Sequence, residues 1–139
     1  MKILIIRLSS LGDVVLTTPV PRLLRKKFPN SDIHFITKSE YTDIYINNNN
    51  VNKVINLEHN LKKTIKLLKS EKYDLVIDLH NNLRSNIIKY SLSVKHFTYN
   101  KQSFARWLFS NLKIKLVIKH ITKSYIETLN NLDIKDDDL

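Results

Sequence analysis

The sequence contains no cysteine and, in 139 residues, a single glycine, Gly12. Without cysteine there are no disulfides, no thiolate nucleophiles and no cysteine-bound zinc, and a cytoplasmic location is expected. The lone glycine concentrates the chain's freedom to adopt crowded or left-handed backbone at one place. No stretch approaches the ~18 consecutive apolar residues of a membrane-spanning helix. The N-terminal apolar run is short, ends at Arg7 and is followed by no small-residue cleavage site, so it does not read as a signal peptide. The five histidines show no paired ligand spacing, and no metal site is expected. Acidic side chains are also scarce: 13 Asp+Glu stand against 23 Lys+Arg, for a formal net charge of +10. Such an excess fits an anionic partner, or else a solvated lysine-rich surface.

What is present reads as one globular domain, with 42% hydrophobic and 26% charged residues. We expect it to span residues 1–134, with an acidic tail at 135–139. Residues 2–7 form a continuous apolar run suited to a central parallel strand buried on both faces. A polar turn at 8–12 leads into a helix over 13–28. There, Leu16, Val20, Leu23, Leu24 and Phe28 share a face. Pro19 either kinks that helix or opens a second segment capped by Thr18. Further strands are expected at 32–37, 51–57, 73–79 and 94–99. Helices are expected at 41–46, 60–71, 83–92, 104–109 (apolar side Phe104, Trp107 and Leu108) and 120–132, and 113–118 is ambiguous. Strands alternating with helices predict an α/β fold, a Rossmann-like parallel sheet with helices on both faces.

In an open parallel sheet, ligands bind beyond the carboxyl ends of the strands. Three segments follow such ends: 8–13, 37–40 and 78–85. The first carries Ser9, Ser10, Gly12 and Asp13. Backbone N–H groups at that helix start suit an anion, but a carboxylate in the same place would repel one. Asp13 therefore reads in two ways. It caps the helix, or it is a carboxylate base at the mouth of a cleft. The loop lacks the Gly-Lys-Ser/Thr ending of a Walker loop and the three glycines of the dinucleotide fingerprint, so ATPase and dehydrogenase readings have little support. The third segment offers Asp78, His80, Asn81, Asn82, Arg84 and Ser85. Asn81 or Asn82 would cap the next helix, and Arg84 would face the cleft to meet a carboxylate or phosphate. Nucleic-acid binding has only the charge in its favour: no helix-turn-helix, RNP-like strand or aromatic-interleaved basic run accompanies it.

The string from Ile3 to Pro19 (ILIIRLSSLGDVVLTTP) resembles the opening of family 9 glycosyltransferases, the ADP-heptose:lipopolysaccharide heptosyltransferases. The similarity continues through KKFP at 26–29, IHF at 33–35, YDLVIDLH at 73–80, LRS at 83–85 and the helix at 120–134. The resemblance implies the N-terminal half of a two-domain GT-B enzyme. That half binds the acceptor, a Kdo-bearing lipid A core, and a C-terminal domain absent from these 139 residues holds the donor, ADP-heptose. It implies an inverting, metal-independent transfer without a cofactor, with Asp13 as general base. By position, Arg7, Lys38 and Arg84 would meet acceptor phosphates and carboxylates, while Ser9, Ser10 and Gly12 shape the loop. The implied partners are the lipopolysaccharide acceptor, a separate donor domain and, peripherally, the anionic inner membrane. The alternative is a non-catalytic Rossmann-like module that binds an anionic glycolipid or sugar.

Overall fold

The computed structural model describes residues 1–101 and 114–135, with side chains described to 101 and from 121 to 135. The expected helix at 104–109 and the end of the tail, 136–139, lie outside them. Five strands form one all-parallel sheet in the order β3-β2-β1-β4-β5. They are β1 (Lys2–Ile6), β2 (Asp32–Thr37), β3 (Lys53–Asn56), β4 (Leu75–Asp78) and β5 (Lys95–Thr98). The helices are α1 (Leu11–Leu16), α2 (Pro19–Lys27), α3 (Asp43–Ile46), α4 (Leu61–Glu71), α5 (Leu83–Leu92) and α6 (Ile114–Glu127). None of the described helices is long and apolar enough to cross a membrane.

The fold follows from the two-residue alternation of the strands. In β1, Ile3 and Ile5 point to one face, with Ile33, Phe35, Leu75 and Ile77 beside them. Val14 of α1, Val20, Leu23 and Leu24 of α2, and Tyr125 and Ile126 of α6 cover that face. Leu4 and Ile6 point to the other, with Ile36, Ile55 and Val76, under Leu68 of α4 and Ile88 of α5. All four β1 residues from Ile3 to Ile6 are fully buried, as a central parallel strand requires.

The expected helix at 13–28 is two helices. Pro19 sits at the first position of α2 behind Thr18, where its missing N–H costs nothing. The Thr17 hydroxyl donates to the Val14 carbonyl at 2.6 Å and lies 2.8 Å from the Tyr45 hydroxyl, fixing the break against α3. The expected strands at 51–57, 73–79 and 94–99 shorten to their central four residues. For β4 the reason is local. Asp78 Oδ1 accepts from the backbone N–H of His80 and of Asn81, turning the chain out of the ladder. α6 reaches back to Ile114 through the ambiguous segment and ends at Glu127, before a 3-10 turn over Asn130–Leu132.

The order 3-2-1-4-5 makes the chain leave β1 toward one edge and return on its other side at β4. The crevice of such a sheet opens beyond the carboxyl ends of those two central strands, where the direction of winding reverses.

Candidate functional site

The loops after β1 and β4 meet at that crevice. Arg7 follows β1 directly and is 93% buried (7% exposed). Its Nη1 donates to the Leu79 carbonyl at 2.8 Å, and its Nη2 lies 2.9 Å from Asp13 Oδ2. The guanidinium also stands over the Tyr125 ring, 5.6 Å from its centroid. Its Nε is buried without a hydrogen-bond partner. Both ends of the fork of Arg7, expected to face the acceptor, are occupied, one by the Leu79 carbonyl and one by Asp13.

Asp13 is not the cap of α1. That helix begins at Leu11 with Ser10 as its N-cap, and Asp13 stands in the first turn. Its carboxylate gathers donors from Arg7, Ser10 and Tyr125. Oδ2 takes Arg7 and the Ser10 hydroxyl at 3.0 Å, and Oδ1 takes the Tyr125 hydroxyl at 3.2 Å. Burial pushes the Asp13 carboxyl up, but Arg7, Ser10 and Tyr125 outweigh it and hold it below the ordinary carboxylate value. Asp13 is therefore ionised at neutral pH. About a third of its side chain reaches water (35%), which leaves the carboxylate open to a further donor. Tyr125 is itself almost fully buried, and burial pushes its hydroxyl well above the ordinary phenol value, so it donates throughout the physiological range.

Gly12 departs from expectation. It lies inside α1, its φ is not positive, and a Cβ added there would meet nothing within 4 Å. The backbone does not demand glycine at this position, because the helix starts earlier than the pattern suggested.

The β4 side of the crevice is built on a buried ion pair. Asp78 and Lys89 have almost no exposure, and their Oδ2 and Nζ are 3.1 Å apart. Ser85 donates to the same oxygen at 2.9 Å, and Lys89 also donates to Thr98 at 2.8 Å. With the two backbone donors to Oδ1, Asp78 is satisfied on both oxygens, which a buried carboxylate needs. This network fixes the turn that carries His80 and Asn82. The Leu8 N–H donates to His80 Nδ1 at 3.1 Å, so the neutral ring carries its proton on Nε2 and ties the two crevice loops together. Burial, with Arg7 adding to it, pushes His80 down to about 4. Asn82 caps α5 in a reciprocal capping box with Ser85.

Ser9, Lys38 and Arg84 come together one step to the side. A cavity of about 440 Å³ is lined by Leu8, Ser9, Lys38, Asn82, Leu83 and Arg84. A second, of about 390 Å³, shares Lys38 and Arg84 and adds Glu58 and His59. The expected residues thus fall into two neighbouring groups. Arg7, Ser10 and Asp13 form a clamped carboxylate; Ser9, Lys38 and Arg84 form a basic wall beside it. Tyr125 was missed by sequence reasoning, because a residue 112 positions away gives no local signal of touching Asp13. Among the described residues, no three His, Asp or Glu side chains converge as a metal site.

No family model matches the chain. Among solved structures, the glycosyl transferase family 9 protein of Veillonella parvula superposes with a TM-score of 0.75 at 21% identity, covering 97% of this chain and 42% of that one. Escherichia coli ADP-heptose lipopolysaccharide heptosyltransferase II gives a TM-score of 0.62 at 25% identity, covering 69% of this chain and 29% of that one. The fold is thus the Rossmann-like fold found in GT-B glycosyltransferases. Curated relatives narrow it. Lipopolysaccharide heptosyltransferase 1 of Campylobacter coli is 33% identical over 109 residues, 74% of this chain and 32% of that protein. Lipopolysaccharide heptosyltransferase 3 of Escherichia coli is 24% identical over 138 residues, 88% of this chain and 40% of that protein. The chain is a homologue of the family 9 heptosyltransferases, and it spans about a third of the length of the curated relatives it matches.

Proposed function

We propose that this chain supplies the acceptor side and the general base of a lipopolysaccharide heptosyltransferase. The observation that carries the reading is the ionised Asp13 carboxylate, held by Arg7, Ser10 and Tyr125 at the switch point of the sheet beside the basic wall of Lys38 and Arg84. The similar proteins are lipopolysaccharide heptosyltransferases, one of them named for ADP-heptose, and they supply the substrate class.

In this reading the acceptor hydroxyl attacks the anomeric carbon of the heptose. The bond from that carbon to the phosphate oxygen breaks, ADP leaves with the electron pair, and the configuration inverts. The hydroxyl proton passes to Asp13 Oδ1. A carboxylate with a lowered pKa is a poor base toward a free alcohol. It becomes adequate as the new C–O bond forms, since the attacking oxygen then turns strongly acidic. Asp13 takes the proton, and the negative charge that develops on the departing diphosphate falls to the donor side of the cleft. Lys38 and Arg84 receive acceptor phosphate or carboxylate. Arg7 positions Asp13 and does not itself touch substrate. ADP-heptose would be held by a donor domain, and the reaction would run on the cytoplasmic side.

The test is heptosyl transfer from ADP-heptose to a Kdo-lipid A acceptor, by the chain alone and by the chain joined to the donor domain of a relative. We expect transfer in the joined form only, falling by roughly 10²–10⁴ in Asp13→Asn. A folded, joined protein that binds acceptor but transfers nothing would instead be a binding module for anionic glycolipid.

A further inference from the structure

α5 is barely amphipathic, because apolar side chains lie on its outward face as well as on its inward one. Its inward face carries Ser85 and Lys89, drawn in by Asp78, together with Ile88. Its outward face carries Leu83, Ile87 and Tyr90, which are 76%, 40% and 64% exposed and spaced i, i+4, i+7. Three large apolar side chains in one outward stripe, while Ser85 and Lys89 are drawn inward, are unlike an ordinary solvated helix.

α4 packs alongside α5 on the same face of the sheet. Its own outward side presents Lys62, Lys63, Lys66 and Lys69, all exposed, with Leu67 among them at 44% exposure. Arg84 adds a further exposed cation on α5. The two helices contain one acidic residue between them, Glu71, and it is paired with Lys2 and Lys53. The layer therefore offers an apolar stripe flanked by uncompensated positive charge.

We propose that this outward face of α4 and α5 seats on an anionic phospholipid bilayer. Shallow insertion of Leu83, Ile87 and Tyr90 covers the stripe, while the lysines stay at the headgroups. Charge decides among occupants. A second copy of this chain would bring the same positive face against itself, and an acidic lipid surface is its complement. The geometry has a further use. Leu83 and Arg84 also line the cavity next to Asp13, so the stripe runs up to the mouth of the crevice. This surface does not depend on the transferase reading, and its test contains no acceptor or donor.

The full chain is sedimented with vesicles of phosphatidylcholine alone and with phosphatidylglycerol at about three in ten lipids. Binding is expected only to the anionic vesicles, weakening as salt rises. The double substitution Ile87→Ser with Tyr90→Ser should weaken it by at least about tenfold. Lys62→Gln with Lys66→Gln should weaken it and flatten its salt dependence. All four residues are outside the Asp13 cluster and exposed, and circular dichroism checks that both variants stay folded. The proposal is overturned if the wild-type chain ignores anionic vesicles, or if the Ile87/Tyr90 variant binds as well as wild type. It is equally overturned by sedimentation velocity showing a dimer that dissociates in that variant, which would make a second copy the occupant.

Discussion

The Tyr125 hydroxyl donates to Asp13 Oδ1 at 3.2 Å, joining α6 to the first turn of α1 across 112 residues of chain. The same ring lies against the Arg7 guanidinium, so one aromatic side chain touches both members of the ion pair. Tyr125→Phe separates these roles, since it keeps the ring and removes the donor. With that donor gone, the Asp13 pKa rises, and the acidic limb of the pH–rate profile of a joined, active enzyme moves to higher pH. Transfer at neutral pH should change by less than about tenfold, since Asp13 stays ionised there and gains basicity as it loses a donor. A purely structural Tyr125 would leave the acidic limb where it is.

Arg7→Met removes the counter-charge from a carboxylate with most of its side chain out of water and orphans the Leu79 carbonyl. Breaking a fully buried pair costs about 3–5 kcal/mol. Asp13 retains partial solvent contact, so we expect about 2 kcal/mol, read from urea unfolding. Arg7→Lys recovers charge but cannot span both Leu79 and Asp13, and should restore only part of the loss.

His80 predicts a pH window. As pH falls, the unfolded chain takes up a proton near the ordinary histidine value of 6.5, whereas the folded chain resists until about 4. The unfolded state binds more protons between those values, so this contribution is complete above 6.5 and is lost progressively down to about 4. His34, lowered chiefly by its own burial, acts in the same direction. The informative quantity is therefore the difference between wild type and His80→Gln, which keeps an acceptor for the Leu8 N–H. Denaturant midpoints measured from pH 7 to 4 should fall less steeply for the variant. Parallel curves would remove His80 from the account.

Gly12→Ala should stabilise the chain by roughly 0.5–1 kcal/mol, because alanine gains helix propensity and the space beside α1 is open. A thermal melt checks the sign. A variant that is more stable in isolation yet slower in a joined enzyme would mean that something outside the described residues approaches the backbone there.

Much of the fold could be read from the chain because its signals are local. The runs at 32–37 and 83–92 match β2 and α5 end to end, since the apolar run of β2 and the Asn82 cap directly before α5 are local signals. Strand ends at β3, β4 and β5 were overextended, because apolar residues continue past the last ladder pair into the loops. Asp13 was legible as a residue and not as a geometry. Ser10 is three positions away and in plain sight, but Arg7 and Tyr125 reach it only through the folded sheet. The inward turn of Lys89 was hidden for the same reason, since its partner Asp78 belongs to another element.

The clamp on Asp13 also has an order in time. Arg7 and Ser10 leave the ribosome beside it, and the Leu79 carbonyl that steadies Arg7 follows 72 residues after Arg7. Tyr125 follows 112 residues after Asp13, and among the described contacts of the site the loop it closes is the longest. A nascent chain can therefore complete its five-stranded sheet while the carboxylate still lacks this last contact. Docking of α6 is the step that adds the Tyr125 donor to a sheet already formed.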